Sequence, residues 1–178
     1  MKKWMMAAAA LGLSCGTVQA QGTATQSVVL TAGVTGYCTI DGNATGTGRS
    51  ATVPVVNGVV TPGPLTIGGI NSLATCTSNA TIKLTTGSQG LTNTASGIVA
   101  PFVNKIHYTA TANYNGATEN IDTTTAVAGT ATTGVPSVGA TTNQPLTLTV
   151  TILATPSGSF LANGTFSDML TVTLMPST

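Results

Sequence analysis

Apolar residues in this chain recur at every second position, and the 3.6-residue spacing of a helix face is hard to find. Ala80, Ile82 and Leu84 alternate with Thr81, Lys83 and Thr85. Ile106, Tyr108, Ala110, Ala112 and Tyr114 alternate with His107, Thr109, Thr111 and Asn113, and Leu146, Leu148, Val150 and Ile152 alternate with three threonines. Phe166, Leu170, Val172 and Leu174 share one side of a last run, which Asp168 interrupts. A period of two sends neighbouring side chains to opposite faces, so each run predicts a strand with one buried face. Threonine, 37 of 178 residues, fills the polar positions, where its branched Cβ suits a strand better than a helix. The clusters "DGNATGTG", "TPGP", "NYNG" and "TPSG" between the runs are turn material. The pattern predicts one all-β domain, a β-sandwich, with residues 123–144 as a long surface connection carrying one weak strand.

The N-terminus predicts the compartment. Lys2 and Lys3 precede a short apolar run from Met5 to Leu13, and Val18-Gln19-Ala20 fits a small-residue cleavage site. Residues 1–20 therefore read as a signal peptide, removed to leave Gln21 first. No later stretch approaches about 18 unbroken apolar residues, so no membrane insertion is expected. Cys15 lies in the part removed, after Gly12-Leu13-Ser14, with Gly12 at the position where a lipobox has leucine. Cys38 and Cys76 remain, and an even pair in an exported chain reads as a disulfide. Closing that loop is worth about 4 kcal/mol in a chain-entropy picture.

Charge excludes several functions. Past residue 20 the chain holds Arg49, Lys83 and Lys105 against Asp41, Glu119, Asp122 and Asp168. That balance gives no basic footprint for nucleic acid or an anionic membrane. It also gives a free monomer little colloidal protection. The carboxylates are scattered, and Glu119 with Asp122 reads as a solvated turn or strand edge. His107, the one histidine, falls on the polar side of its strand and reads as exposed. No G-x-S-x-G elbow occurs, and "GNATGTGRS" lacks the lysine and helix of a phosphate loop. The N-x-[ST] sequons at Asn43, Asn79 and Asn163 are what so much threonine produces by chance. No enzyme activity, cofactor or metal site is expected.

The two ends of the mature chain belong together. "QSVVLTAGVTGYC", residues 26–38, places Val28, Leu30, Ala32 and Val34 on one face ahead of Cys38. The final alternating run reaches almost to the C-terminus, so an immunoglobulin-like sandwich is expected to lack its last strand, with Phe166, Leu170, Val172 and Leu174 along the open groove. The surplus first strand of one copy fits the missing place in the next, a β-strand addition. Burying its four apolar side chains is worth about 6–8 kcal/mol as an upper figure.

The stretches "VVLTAGVTGYCTIDG", "LATCTSNATIKLTTG", "LTNTASGIVAPFVNKIHYTATANYNG" and "GTFSDMLTVTL" together resemble the spore coat protein U domain, shared by pilin subunits of the archaic chaperone–usher pathway. The resemblance spans most of the mature chain and is weakest at 120–145. It implies that 21–36 is a donor-strand segment using Val28, Leu30, Ala32 and Val34, that 37–178 is the pilin domain, and that Cys38 and Cys76 are bonded. It implies identical or related pilin subunits, a periplasmic chaperone and an outer-membrane usher as partners. It further implies a cell-surface pilus, for adhesion and biofilm formation, as destination. The chain departs from the family in ending Met175-Pro176-Ser177-Thr178, where relatives carry an aromatic. The competing reading is a self-contained secreted sandwich acting as a coat or carbohydrate-binding protein. It is disfavoured on the expectation that the six aromatics Tyr37, Phe102, Tyr108, Tyr114, Phe160 and Phe166 are needed for the core.

Overall fold

The computed structural model describes residues 32, 35–44, 48–65, 72–95 and 98–177. The chain divides into Met1–Gly33 and Val34–Thr178. Of the first unit only Ala32 is described; the architecture below belongs to the second. The signal-peptide expectation lies outside the described residues.

Among the described residues every regular element is a strand. In chain order they are β1 (Cys38–Ile40), β2 (Val55–Val56), β3 (Val59–Val60), β4 (Gly63–Leu65), β5 (Ser72–Cys76), β6 (Ala80–Thr86), β7 (Leu91–Thr92) and β8 (Phe102–Val103). Then follow β9 (Lys105–Ile106), β10 (Tyr108–Tyr114), β11 (Ala117–Asp122), β12 (Val135–Pro136), β13 (Thr141–Ile152), β14 (Phe160–Leu161) and β15 (Leu170–Pro176). The larger sheet runs β1-β5-β13-β10-β11, with β4 added against the end of β13. The smaller runs β12-β6-β15. All pairings in both sheets are antiparallel. Their apolar faces meet in one core, an arrangement consistent with a β-sandwich.

The alternation seen in the sequence is what builds that core. Ala80, Ile82 and Leu84 of β6 are fully buried, as are Ala110 and Ala112 of β10. Tyr108 and Tyr114 close the two ends of the β10 row, and the two alanines between them leave room for the opposite sheet. The β10–β11 turn is Asn115-Gly116, both at positive φ (43° and 81°), the two-residue hairpin connection that "NYNG" calls for.

Two segments differ from the sequence pattern. "TPGP" is not only a turn, since Gly63-Pro64-Leu65 forms β4. Proline is tolerated there because β4 is an edge strand, pairing only with Val150–Ile152. The expected connection over 123–144 is shorter, residues 123–140 with one short strand, β12, because β13 already begins at Thr141; the connection follows β6. Gly129, Thr132 and Ser137 donate backbone N–H groups to the carbonyls of Thr86, Leu84 and Ala80. β6 thus has hydrogen-bonding partners on both sides.

The disulfide joins Cys38 on β1 to Cys76 on β5, residues directly opposite in the register. It fastens the outermost strand of the large sheet. Replacing both cysteines with serine is expected to lower unfolding free energy by about 4 kcal/mol, read as a lower denaturant midpoint with a larger m-value, because the unfolded chain is no longer held compact by the cross-link.

Candidate functional site: the open edge of the small sheet

β15 has one neighbour among the described residues, β6. Its register pairs Leu170 with Thr86, Val172 with Leu84 and Leu174 with Ile82, so these three side chains face the core. Their burial nevertheless differs from that of their partners. Ile82 and Leu84 are at 0% exposure, whereas Leu170, Val172 and Leu174 are only half-buried. No described strand is hydrogen-bonded along the outer side of β15.

The backbone direction of that edge follows from the flanking bonds. Gly87 N–H donates to Met169 O at one end of the ladder, and Ser177 N–H to Asn79 O at the other. In an antiparallel pair the residues facing the partner alternate with those facing away. Met169, Thr171, Thr173 and Met175 therefore address β6, while the N–H and C=O groups of Leu170, Val172 and Leu174 address the open side. The residues whose side chains point into the sandwich are thus the same ones that offer free backbone groups.

Beside this edge lies a groove of about 540 Å³ between the two sheets. Leu170 and Val172 form one wall; Ile40, Leu65, Leu148 and Val150 form the facing one. Of the other residues expected along it, Leu174 continues the inward row of β15, and Phe166 sits before the strand, half-buried. One end approaches the start of β1, where a Cβ placed on Gly36 would stand 3.1 Å from Pro176 Cβ.

Asp168 closes the other end and explains why an acid interrupts the apolar run. Its Oδ2 accepts from Thr86 Oγ1 (2.5 Å), Tyr108 Oη (2.8 Å) and Gly90 N–H (3.0 Å). Its Oδ1 accepts from the N–H groups of Ser88 and Met169, both at 2.8 Å. One carboxylate ties Met169, the residue before the edge strand, to the end of β6, to the following turn and to β10 in the opposite sheet. Burial pushes the Asp168 carboxyl up, but the bonds from Thr86, Tyr108, Met169 and Ser88 outweigh it and hold it below its ordinary value. Burial pushes the Tyr108 phenol up, and the neighbouring carboxylate adds to that.

The rim on the β1 side carries an ion pair, Arg49 Nη2 to Asp41 Oδ2 at 2.7 Å. Asp41 also accepts from Ser72 Oγ and Leu73 N–H, which hold its carboxyl below its ordinary value.

Val28, Leu30 and Val34 lie outside the described residues, and Ala32 is exposed. Of the two settings expected for Glu119 and Asp122, a solvated turn or a strand edge, the structure has the second: both are on the outermost strand β11, but only Asp122 is exposed, and Glu119 is buried at 9% exposure. Their spacing of three already placed them on opposite faces of a strand, the signal that could have separated them. His107 is half-buried, not exposed, and its Nδ1 donates to Thr123 O at 3.1 Å, because the Thr123 hydroxyl is spent on Tyr108 O. The six aromatics are not all in the core. Tyr108 and Tyr114 are buried, but Tyr37, Phe102 and Phe160 are 52%, 48% and 43% exposed. Among the described residues no group of three or more His, Cys, Asp or Glu side chains is placed to hold a metal ion, and no helix is long and apolar enough to cross a membrane.

No protein-family model, curated protein or solved structure matches the chain.

If Asp168 holds the start of β15, Asp168→Asn is expected to cost about 1–3 kcal/mol, since several buried donors then lose their acceptor. Because the folded carboxyl titrates below its unfolded value, its contribution is fully present above about pH 4 and is lost as pH falls through the folded pKa. Acid unfolding of the wild type should therefore be steeper than that of the Asn variant, as read by stability curves between neutral and strongly acidic pH.

Proposed function

We propose that the chain is a structural subunit of a chaperone–usher surface pilus, in which residues 26–34 of one copy complete the sandwich of the next. In this reading the fold is an incomplete immunoglobulin-like sandwich, and the missing strand belongs beside β15. The observation that carries it is the free, uncharged seven-residue edge of β15 standing over an apolar groove. An incoming strand finds backbone groups at Leu170, Val172 and Leu174 and apolar walls below them. Val28, Leu30, Ala32 and Val34 have the spacing to address both at once.

Three other outermost strands, β1, β4 and β12, support the assignment. β1 is three residues long and carries the disulfide. β4 contains Pro64, and β12 is two residues ending in Pro136. Short strands and prolines are how sheet edges are kept from pairing. β15 carries its proline only at its last position. The subunit would reach the surface through the periplasm, held by a chaperone that lends a strand until an usher exchanges it, as the resemblance to archaic pilins implies.

A self-contained secreted sandwich that binds carbohydrate is the second reading. The half-exposed Phe102 and Phe160, with ring centroids 6.4 Å apart, favour it, because exposed aromatic pairs offer faces for a ligand to stack on. It leaves the edge of β15 without a role.

The two readings separate in one experiment. Residues 21–178 are exported with a cognate chaperone and usher, and the surface fraction is run on unboiled SDS gels. The intact chain is expected to give a ladder of resistant multimers. Deletion of 21–33 should abolish it, and Leu30→Arg or Val172→Asp should cut it at least about ten-fold, since each buries a charge in the joint. A stable, chaperone-independent monomer from both the intact and the deleted chain would overturn the pilin reading.

A further inference from the structure

We propose that Glu119 makes the β11 edge refuse the strand that β15 accepts, so that assembly proceeds at one edge of the sandwich only. This rests on the pilin reading and adds to it the choice between two long edges. Among the described residues β11 pairs with β10 alone, and at six residues it is nearly as long as β15. Unlike the other edges it is neither short, nor bridged by a disulfide, nor broken by proline. By length alone it competes for the same guest.

Its chemistry is different. The chain has four carboxylates in all, and two of them, Glu119 and Asp122, are on this one strand. Ala117, Glu119 and Ile121 alternate with exposed Thr118, Asn120 and Asp122, so Glu119 faces inward between two apolar residues. It stands opposite Ala112, which has no group to offer it. Its Oε2 is buried and has no hydrogen-bond partner.

The register shows what a guest would meet. Thr123 N–H donates to Tyr108 O, so the residues of β11 that address β10 are 117, 119 and 121. Thr118 and Asn120 then turn their backbone groups outward. A strand paired to them would lay its inward side chains alongside Glu119 and deepen the burial of a carboxylate whose Oε2 already has no hydrogen-bond partner. A charge in that position must be paired, or the complex is disfavoured. The guest cannot pair it: residues 26–34, "QSVVLTAGV", contain no lysine or arginine. The same uncharged segment meets no such group at Leu170, Val172 and Leu174. An inward-pointing charge is one of the ways a sheet edge is kept from adding strands.

Cross-linking on the full mature chain, residues 21–178 assembled with chaperone and usher, tests this. Thr31→Cys marks the donor strand on its outward face. It is combined either with Thr173→Cys on the outward face of β15 or with Asn120→Cys on that of β11, and a short bifunctional thiol reagent is applied. With Glu119 in place, the 31–173 product is expected and the 31–120 product is not. Glu119→Val should raise the 31–120 product roughly ten-fold, with thicker or branched fibres by electron microscopy. Glu119→Gln, which keeps the shape and removes the charge, should give an intermediate yield and guards against a Val variant that does not fold. If 31–173 forms throughout and 31–120 stays absent in both variants, Glu119 has no gating role while the pilin reading stands. If 31–173 never forms but 31–120 appears on removing the charge, the β15 assignment is wrong and the role of Glu119 survives. Absence of both products in every chain overturns both.

Discussion

A β-sandwich satisfies its backbone polar groups everywhere except along its outermost strands, and in this chain the fate of those strands organises the whole molecule. β6 lies at the centre of the smaller sheet, bonded on one side to β15 and on the other to the connection through Gly129, Thr132 and Ser137. Its inward row is consequently sealed. β15, one step outward, has the same alternation and half the cover. The difference between Leu84 and Val172 is therefore one of position and not of residue type. Burial in a sheet is completed by the next strand over, and where that strand is absent an apolar face becomes a groove.

Asp168 shows how a polar group can belong to such a face. An acid in register with leucines and valine would be costly if the strand simply continued through it. The structure instead begins β15 at Leu170 and uses Asp168 to collect hydrogen bonds from two side-chain hydroxyls and three backbone N–H groups. That cluster reaches both sheets, so it fixes the separation of the groove walls at one end. The position of β15 relative to β10 is set there, and the apolar residues that follow inherit a defined place to stand.

How much of this is legible in the sequence depends on whether the determining contact is local. The runs around β6, β10 and β13 are legible because a period of two is a property of neighbours along the chain. The hairpin at Asn115-Gly116 is legible because positive φ selects its residues. The burial of Glu119 is not, because it depends on the opposite sheet and on the path of residues 123–137, neither of which leaves a mark beside it. The exposure of Phe102 and Phe160 fails for a similar reason. Aromatic residues suit cores in general, but these two lie on β8 and β14, a short parallel pair outside both main sheets. The acid in the last apolar run is visible, while its partners Thr86, Ser88, Gly90 and Tyr108, drawn from two other strands and a turn, are not.

The scarcity of charge gives the few carboxylates a common theme. Asp41 directly follows β1, where it binds the start of β5 and pairs with Arg49. Asp168 stands two residues before β15, and Glu119 and Asp122 are on β11. All four acids therefore stand on or beside outermost strands of the two sheets, and none is spent on the broad threonine-covered faces. A chain this close to neutral has little long-range repulsion to keep copies apart. Its protection against unwanted pairing has to be local, placed where backbone groups are free. Threonine serves the faces because it is polar without being charged and fits the strand. Carboxylates, proline and the disulfide serve the edges, and the strand that lacks all three along most of its length is the one with an apolar groove beneath it.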